Sequence, residues 1–238
     1  MDLKKAIILC AGYGKRVLPL TKTTPKPLLK INEVPLIEYS IRILTELGVR
    51  EIAVNVHYLK DKIIDYLKSN YPQIKIFTEE IILDTGGALV NAKSFLSDNY
   101  FIVLNSDTVW QKNYIRYMKS LIHKTINNNF YAGLLLSHKE KSFDNNLKPD
   151  FSLNGDILIN KKHHIYTGFQ IMNSKLLQER KLEPFSVKKI WDDLIIDKKI
   201  TGLLFEDTFY HTTDLNIYNK LKKKILFFNN KFFRACLI

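Results

Sequence analysis

Short apolar runs alternate with segments of helical spacing along the first 105 residues, and this alternation limits the fold more than any other feature. Strands are predicted at Lys4–Cys10, Glu51–Val56, Ile74–Phe77 and Tyr100–Leu104. Helices are predicted between them, at Pro35–Leu47, Leu59–Leu67 and Gly86–Phe95. Because strands separated by helices usually pair in parallel, the pattern favours an α/β fold with a Rossmann-like, mainly parallel sheet flanked by helices.

The pattern changes after Asn129, where strands follow one another and make the predicted sheet mixed. These strands are expected at Phe130–Ser137, Asp150–Leu153, Asp156–Ile159, His164–Met172 and Ile200–Phe205. One helix is predicted to begin at Phe185–Ser186, with Ser186 as its cap, and another covers Thr213 to about Phe228. No repeat or flexible linker is apparent, so we expect one domain over 1–238, with parts at 1–129, 130–212 and 213–238.

The charge balance and the cysteine count restrict the partners. Lys and Arg number 36 against 24 Asp and Glu, a formal net charge of +12. The basic residues are spread over loops and helices alike, so they favour a small anionic substrate over a nucleic acid. Two cysteines, Cys10 and Cys236, cannot form a disulfide framework, and no run of about 18 apolar residues is present. We therefore expect a cytoplasmic protein without membrane partners.

A loop rich in glycine and proline follows the first strand. Without a Cβ, the backbone at Gly12 and Gly14 can approach phosphate oxygens closely, and Arg16 offers a planar fork of donors that matches phosphate. Lys26, between two prolines, adds a point charge. The loop is neither a dinucleotide fingerprint, since Val17 replaces the third glycine, nor the P-loop of NTPases. The glycine pair alone is equally compatible with a simple turn.

Two further motifs lie where the predicted elements meet. Asn105-Ser106-Asp107 follows the fourth strand, and a carboxylate at a strand end is a suitable Mg²⁺ ligand; a helix cap is the alternative role for Asp107. Asp84-Thr85-Gly86 opens a helix, where exposed backbone amides can meet a polar ligand; Asp84 or Thr85 could equally serve as a cap.

Residues Leu9 to Leu28 closely resemble the signature of the sugar-1-phosphate nucleotidyltransferases, L-x-A-G-x-G-x-R followed by P-L-T and P-K-P-L. The resemblance implies the nucleotide-diphospho-sugar transferase fold, with a nucleotide-binding part at 1–129 and a sugar-binding part at 130–212. It implies catalytic roles for Arg16, Lys26 and Asp107. It also implies that the nucleotide is bound by Leu9, Ala11, Gly12, Gly14, Lys15, Asp84, Thr85, Gly86 and Asn105.

The resemblance extends into the second half with departures. It implies that Asp150, Thr167 and Gly168 bind the sugar. The family's closing W-x-D-x-G-T places His211 where an Asp commonly supplies the second metal ligand, and Thr213 replaces the glycine. An imidazole is a poor Mg²⁺ ligand but suits transition metals better. His211 therefore either binds metal with Asp107, donates to phosphate or only fills space, and Asp214 is a substitute carboxylate.

The implied activity joins a sugar 1-phosphate to a nucleoside triphosphate (NTP) and releases pyrophosphate, with Mg²⁺ or Mn²⁺ as cofactor. The likeness to short bacterial members implies UTP and N-acetylmuramate 1-phosphate, hence a role in the cell wall; GTP and mannose 1-phosphate are the alternative. A nucleotide-sugar sensor without catalysis is a hypothesis of another class, motivated by His211 and Thr213. The expected partners are the two substrates, and the expected state is a monomer or a small homo-oligomer.

Overall fold

The computed structural model describes residues 3–227, and the side chains of residues 3–224, and its centre is a mixed β-sheet. The sheet runs in the order β10-β7-β9-β6-β1-β4-β5, with β8 on β9. Its strands are β1 (Lys5–Leu9), β4 (Glu51–Val56), β5 (Lys75–Thr78), β6 (Tyr100–Asn105), β7 (Ala132–His138), β8 (Phe151–Asn154), β9 (Ile157–Asn173) and β10 (Ile200–Phe205). A separate hairpin joins β2 (Lys30–Ile31) and β3 (Val34–Pro35).

Strand direction divides the sheet into two regions. β1 pairs in parallel with β4 and β6, and β4 with β5, so their carboxyl ends meet at one edge. β9 runs antiparallel between β6 and β7 and connects this region to the parallel pair β7 and β10. The sheet therefore contains strands from before and after Asn129. The predicted division of one domain into parts at 1–129, 130–212 and 213–238 stays a prediction.

Helices cover both faces of the sheet, because each presents an apolar stripe to it. They are α1 (Leu36–Glu46), α2 (Lys60–Asn70), α3 (Asp84–Asn91), α4 (Ile115–Asn127), α5 (Lys175–Gln178), α6 (Lys188–Ile196) and α7 (Leu215–Phe227). One core forms under α1, α2, α4 and α7, and a second under α3, α5 and α6. No helix within residues 3–227 has the length and apolar character needed to cross a bilayer.

The predicted fold class, a mainly parallel sheet flanked by helices, is confirmed. Two details of the prediction were wrong. The two segments Asp156–Ile159 and His164–Met172 are not separate strands, because β9 runs without a break from Ile157 to Asn173. Residues 157–159 pair with β8, and residues from His164 onward pair with β8 and β7. The helix expected from Phe185–Ser186 begins at Lys188, since Phe185 instead pairs by hydrogen bonds with α3.

Candidate active site

The carboxyl ends of β1, β4 and β6 open into a cavity of about 490 Å³. The loop after β1 contributes Leu9, Ala11, Gly12, Gly14, Lys15 and Arg16 to its wall. Later segments contribute Lys26, Asp84, Thr85, Asn105 and Asp107. The fold thus brings together residues that lie up to about a hundred positions apart in the sequence and that were predicted to contact a nucleotide; their roles stay predictions.

Two glycines, Gly12 and Gly14, lie in the wall that follows β1, so the backbone there carries no side chain at two positions. Gly14 has a φ of 64°, and Lys15–Val17 follows it as a single 3-10 turn. Lys26 lies in a later 3-10 turn, Lys26–Leu28, which returns the chain to the same cavity. Backbone amides that no side chain shields, next to basic side chains, form a suitable environment for a phosphate chain.

Asp107 lies between two basic side chains at the end of β6. Lys26 Nζ donates to Asp107 Oδ2 at 2.6 Å, and His211 Nε2 lies 3.0 Å from Asp107 Oδ1. Burial raises the pKa of the Asp107 carboxyl, but the facing His211 and Lys26 outweigh it and hold the pKa well below its usual range. Asp107 is therefore a carboxylate at neutral pH, and it neutralises Lys26 in the free protein.

His211 is placed beside Asp107 by the pairing of two extended segments. Thr212 N donates to Asp107 O, and Val109 N donates to Tyr210 O, both at 2.9 Å. The His211 ring stacks on Phe209 with an interplanar angle of 14°. His211 does not line the cavity itself and reaches the site through its contact with Asp107.

A buried carboxylate, Glu79, also lines the cavity, and the sequence analysis missed it. Glu79 Oε1 accepts a hydrogen bond from Asn55 Nδ2 at 2.7 Å, and Oε2 accepts one from Leu83 N at 2.9 Å. Asn55 Oδ1 in turn accepts Cys10 N at 2.9 Å. Glu79 directly follows β5, the same strand-end position that pointed to Asp107, so that rule could have found it.

The predicted residues at the start of α3 divide between the cavity and a packing contact. Thr85 lines the cavity, but its hydroxyl accepts Val187 N at 2.9 Å. Gly86 N donates to Phe185 O at 2.8 Å, and Gly86 is not part of the cavity wall. The 183–187 segment therefore occupies the backbone groups at the beginning of α3, while Asp84 and Thr85 remain beside the cavity.

The three predicted sugar-binding residues lie outside the cavity wall. Thr167 is buried, and its hydroxyl donates to Leu135 O at 2.9 Å. Gly168 follows it on β9, and Asp150 Oδ2 accepts Tyr166 N at 2.9 Å. The hydroxyl of Thr167 thus has a partner within the sheet, and the sugar-binding role of all three residues stays a prediction.

Cys10 lies in the cavity wall, but its thiol is not a reactive nucleophile. Burial raises the pKa of its thiol to about 12, with the carboxylate of Asp107 raising it further against a hydrogen bond with Ser106. The thiol is therefore neutral near pH 7, which agrees with a packing role rather than that of a nucleophile.

Comparisons with known proteins add a family and a fold. The family described as nucleotidyl transferase matches residues 5–143. The bifunctional protein GlmU of Methanocaldococcus jannaschii is 35% identical over 140 residues, which are 58% of this chain and 34% of GlmU. The matched segment thus spans about a third of that relative's length. The N-acetylmuramate alpha-1-phosphate uridylyltransferase of Caulobacter vibrioides is 26% identical over 223 residues, 89% of this chain and 92% of that protein.

A solved structure with a similar backbone is UDP-glucose pyrophosphorylase from Acinetobacter baumannii. The two chains are 18% identical, the match covers 97% of this chain and 96% of the other, and the TM-score is 0.76. The match therefore includes the mixed region around β9 as well as the parallel strands.

Proposed function

The chain belongs to the nucleotidyl transferase family, and from this premise we propose that it joins a sugar 1-phosphate to an NTP and releases pyrophosphate. The observation that carries the proposal is the Lys26–Asp107 pair, at 2.6 Å, in the wall of the cavity that the glycine loop also lines. A loop of unshielded amides can hold a triphosphate, and the pair supplies a cation and a carboxylate beside it.

The proposed reaction needs positioning and charge neutralisation more than proton transfer. An oxygen of the sugar phosphate forms a bond to the α-phosphorus, and the bond from that phosphorus to the bridging oxygen of pyrophosphate breaks. The second pKa of a phosphate monoester is about 6, so the attacking oxygen is mostly ionised at neutral pH and needs no general base. Lys26 would stabilise charge that develops at the α-phosphate, and Arg16 would hold the departing pyrophosphate.

Asp107 and His211 fit a divalent cation, as this family generally uses. Asp107 Oδ1 is buried and accepts no hydrogen bond among residues 3–227, and His211 Nε2 lies 3.0 Å from it. Because these two atoms lie side by side, Asp107 and His211 would hold the ion together. Within residues 3–227, no group of three or more His, Cys, Asp or Glu side chains could hold a metal ion. Substrate and water would therefore supply the remaining ligands of the ion. The ion would shield charge on phosphate oxygens. We propose Mg²⁺ or Mn²⁺, of which Mn²⁺ suits the imidazole of His211 better.

For the substrates we propose UTP and N-acetylmuramate 1-phosphate. The Caulobacter uridylyltransferase, similar over 89% of this chain, supports this pair. Glu79 supports it too, because a carboxylate only accepts hydrogen bonds and uracil offers a ring N–H. Guanine also offers a ring N–H beside an amino group, so the same residue supports GTP, with mannose 1-phosphate, as the second candidate.

The proposed function is tested by pyrophosphate release from pairs of substrates, with Mg²⁺ and separately with Mn²⁺. UTP, GTP, dTTP, CTP and ATP are each combined with the 1-phosphates of N-acetylmuramate, N-acetylglucosamine, mannose and glucose. We expect one strongly preferred pair, containing UTP. If the folded protein bound a nucleotide but released no pyrophosphate from any pair, the proposed enzymatic activity would be refuted. The hypothesis of a nucleotide-sugar sensor without catalysis would then be favoured.

Glu79→Gln should weaken binding of the preferred NTP and reduce the preference for its base over other bases. Glutamine replaces one of the two acceptor oxygens of the carboxylate with an NH₂ group that only donates, so it cannot serve Asn55, Leu83 and a base N–H together. We expect KM for the NTP to rise on the order of tenfold, since hydrogen bonds to charged groups contribute about 1.5–3 kcal/mol. Steady-state kinetics with each NTP measure both effects.

Glu80→Gln is the matched control, because Glu80 is the adjacent residue and its side chain is 88% exposed. It should keep the KM and the base preference of the wild type. If Glu79→Gln also kept both, with an unchanged melting temperature, Glu79 would have no part in reading the base.

A further inference from the structure

The turn of the glycine loop is fixed from behind by Thr21. Gly14, at φ 64°, has a backbone carbonyl that accepts Val17 N at 2.9 Å and the Thr21 hydroxyl at 3.0 Å. Thr21 is fully buried. A Cβ on Gly14 would lie 2.8 Å from the Thr21 methyl group, so this methyl packs directly against the glycine. Thr21 therefore holds Gly14 through both a hydrogen bond and a packing contact.

Tyr58 holds Thr21 in turn. Its hydroxyl donates to Thr21 O at 2.8 Å, and its ring is tilted against Tyr13, with ring centroids 5.5 Å apart. Tyr58 lies two residues beyond the end of β4, next to the sheet. The glycine loop is thereby connected to the sheet through a chain of contacts from Tyr58 to Thr21 to Gly14.

Neither Thr21 nor Tyr58 lines the cavity, so neither is placed to touch a nucleotide. Their contacts end on the backbone of a loop whose residues 11–16 line the cavity. A loop held in its binding conformation beforehand loses less conformational freedom when a ligand arrives, and the saving appears as affinity.

We propose that Thr21 and Tyr58 are positioning residues that hold the amides of residues 11–16 in the conformation that takes the triphosphate. The inference rests on the proposed function, since it concerns how the same cavity binds its nucleotide. Without the Thr21 hydroxyl, the Gly14 turn is no longer fixed before the NTP arrives. Binding must then order the turn, and the affinity for the NTP falls. The step after binding uses Lys26 and Asp107, so kcat should change much less than KM.

The test compares Thr21→Val, which removes the hydroxyl and keeps the side-chain shape, with Thr21→Ser, which keeps the hydroxyl. Thr125→Val is the matched control: Thr125 is also fully buried, and its hydroxyl also donates to a backbone carbonyl, that of Leu121 at 2.7 Å, on α4 away from the cavity. Calorimetric titration with UTP, then with GTP, gives Kd directly, and steady-state kinetics with the preferred NTP give KM and kcat.

We expect Thr21→Val to raise Kd and KM for the NTP on the order of tenfold, the size of one lost hydrogen bond, and Thr21→Ser to recover most of it. Tyr58→Phe should act in the same direction and add little to Thr21→Val, because both changes free one loop. Thr125→Val should lower the melting temperature alone. Equal NTP affinity in Thr21→Val and wild type would overturn the positioning role, as would an equal rise in Kd for Thr125→Val. A wild type that binds NTP but never releases pyrophosphate would instead overturn the proposed function.

Discussion

We expect Lys26→Ala to lower kcat by about 10²–10³, the effect of removing a group that stabilises charge in the transition state. Lys26 Nζ lies in the cavity wall and is held at 2.6 Å from Asp107, so its position is set before substrate arrives. The loss should appear mainly in kcat rather than in KM, because charge at the reacting phosphate is greatest in the transition state. Single-turnover measurements with saturating NTP separate the chemical step from product release.

Two variants keep this prediction interpretable. Lys22→Ala removes an exposed lysine from the same loop and should turn over like the wild type. Asp107→Asn keeps the shape of the side chain and removes its charge, and it should lose kcat to a similar extent. Lys26→Ala and Asp107→Asn should both still unfold cooperatively on heating. Turnover near the wild-type rate in either of them would refute the proposed mechanism.

Gly87→Ala should cost about 3 kcal/mol of unfolding free energy, the upper end of the usual cost of overpacking. A Cβ at Gly87 would lie 2.4 Å from the backbone oxygen of Glu183, which cannot rotate away as a side chain can. The 183–187 segment would have to move, and with it the hydrogen bonds that join Phe185 to α3. For a chain of this size, we expect a fall in melting temperature on the order of 10 °C.

Gly12→Ala is the contrasting variant. No atom lies within 4 Å of the place that a Cβ at Gly12 would take, so the melting temperature should not change. The methyl group would stand in the cavity wall, however, and should weaken NTP binding. Thermal unfolding and nucleotide titration on the two variants therefore separate packing from binding. A wild-type melting temperature for Gly87→Ala would show that the 183–187 segment tolerates displacement.

The parallel region of the fold could be predicted from the sequence because its strands carry a strong local signal. Glu51–Val56 was predicted with its observed bounds. β1 is one residue shorter than predicted at each end, and β6 extends one residue further than predicted at its carboxyl end. β9 was not predicted as one strand, since Lys161, Lys162 and His163 interrupt its apolar pattern. The residues on either side of this stretch pair with β7 and β8, and pairing between distant segments is not contained in a local pattern.

The candidate site was predictable to the extent that it depends on strand ends. That rule pointed to Asp107 and the glycine loop, and both line the cavity. The hydrogen bond from the Thr167 hydroxyl to Leu135 O depends on the pairing of β7 with β9. The packing at Gly87 depends on the 183–187 segment, about a hundred residues later in the sequence. Such contacts between distant parts of the chain cannot be read from a single stretch of sequence.

The place of β9 between β6 and β7 has a consequence for how the chain can be cut. A fragment ending at residue 143 would retain the glycine loop, Lys26, Glu79 and Asp107, yet β6 would lose its partner on one side. Its exposed N–H and C=O groups would offer a template for another chain, the usual origin of edge-to-edge aggregation. Residues 1–143 thus contain most of the candidate site, but the edge of β6 is covered only by a strand that is made later in synthesis.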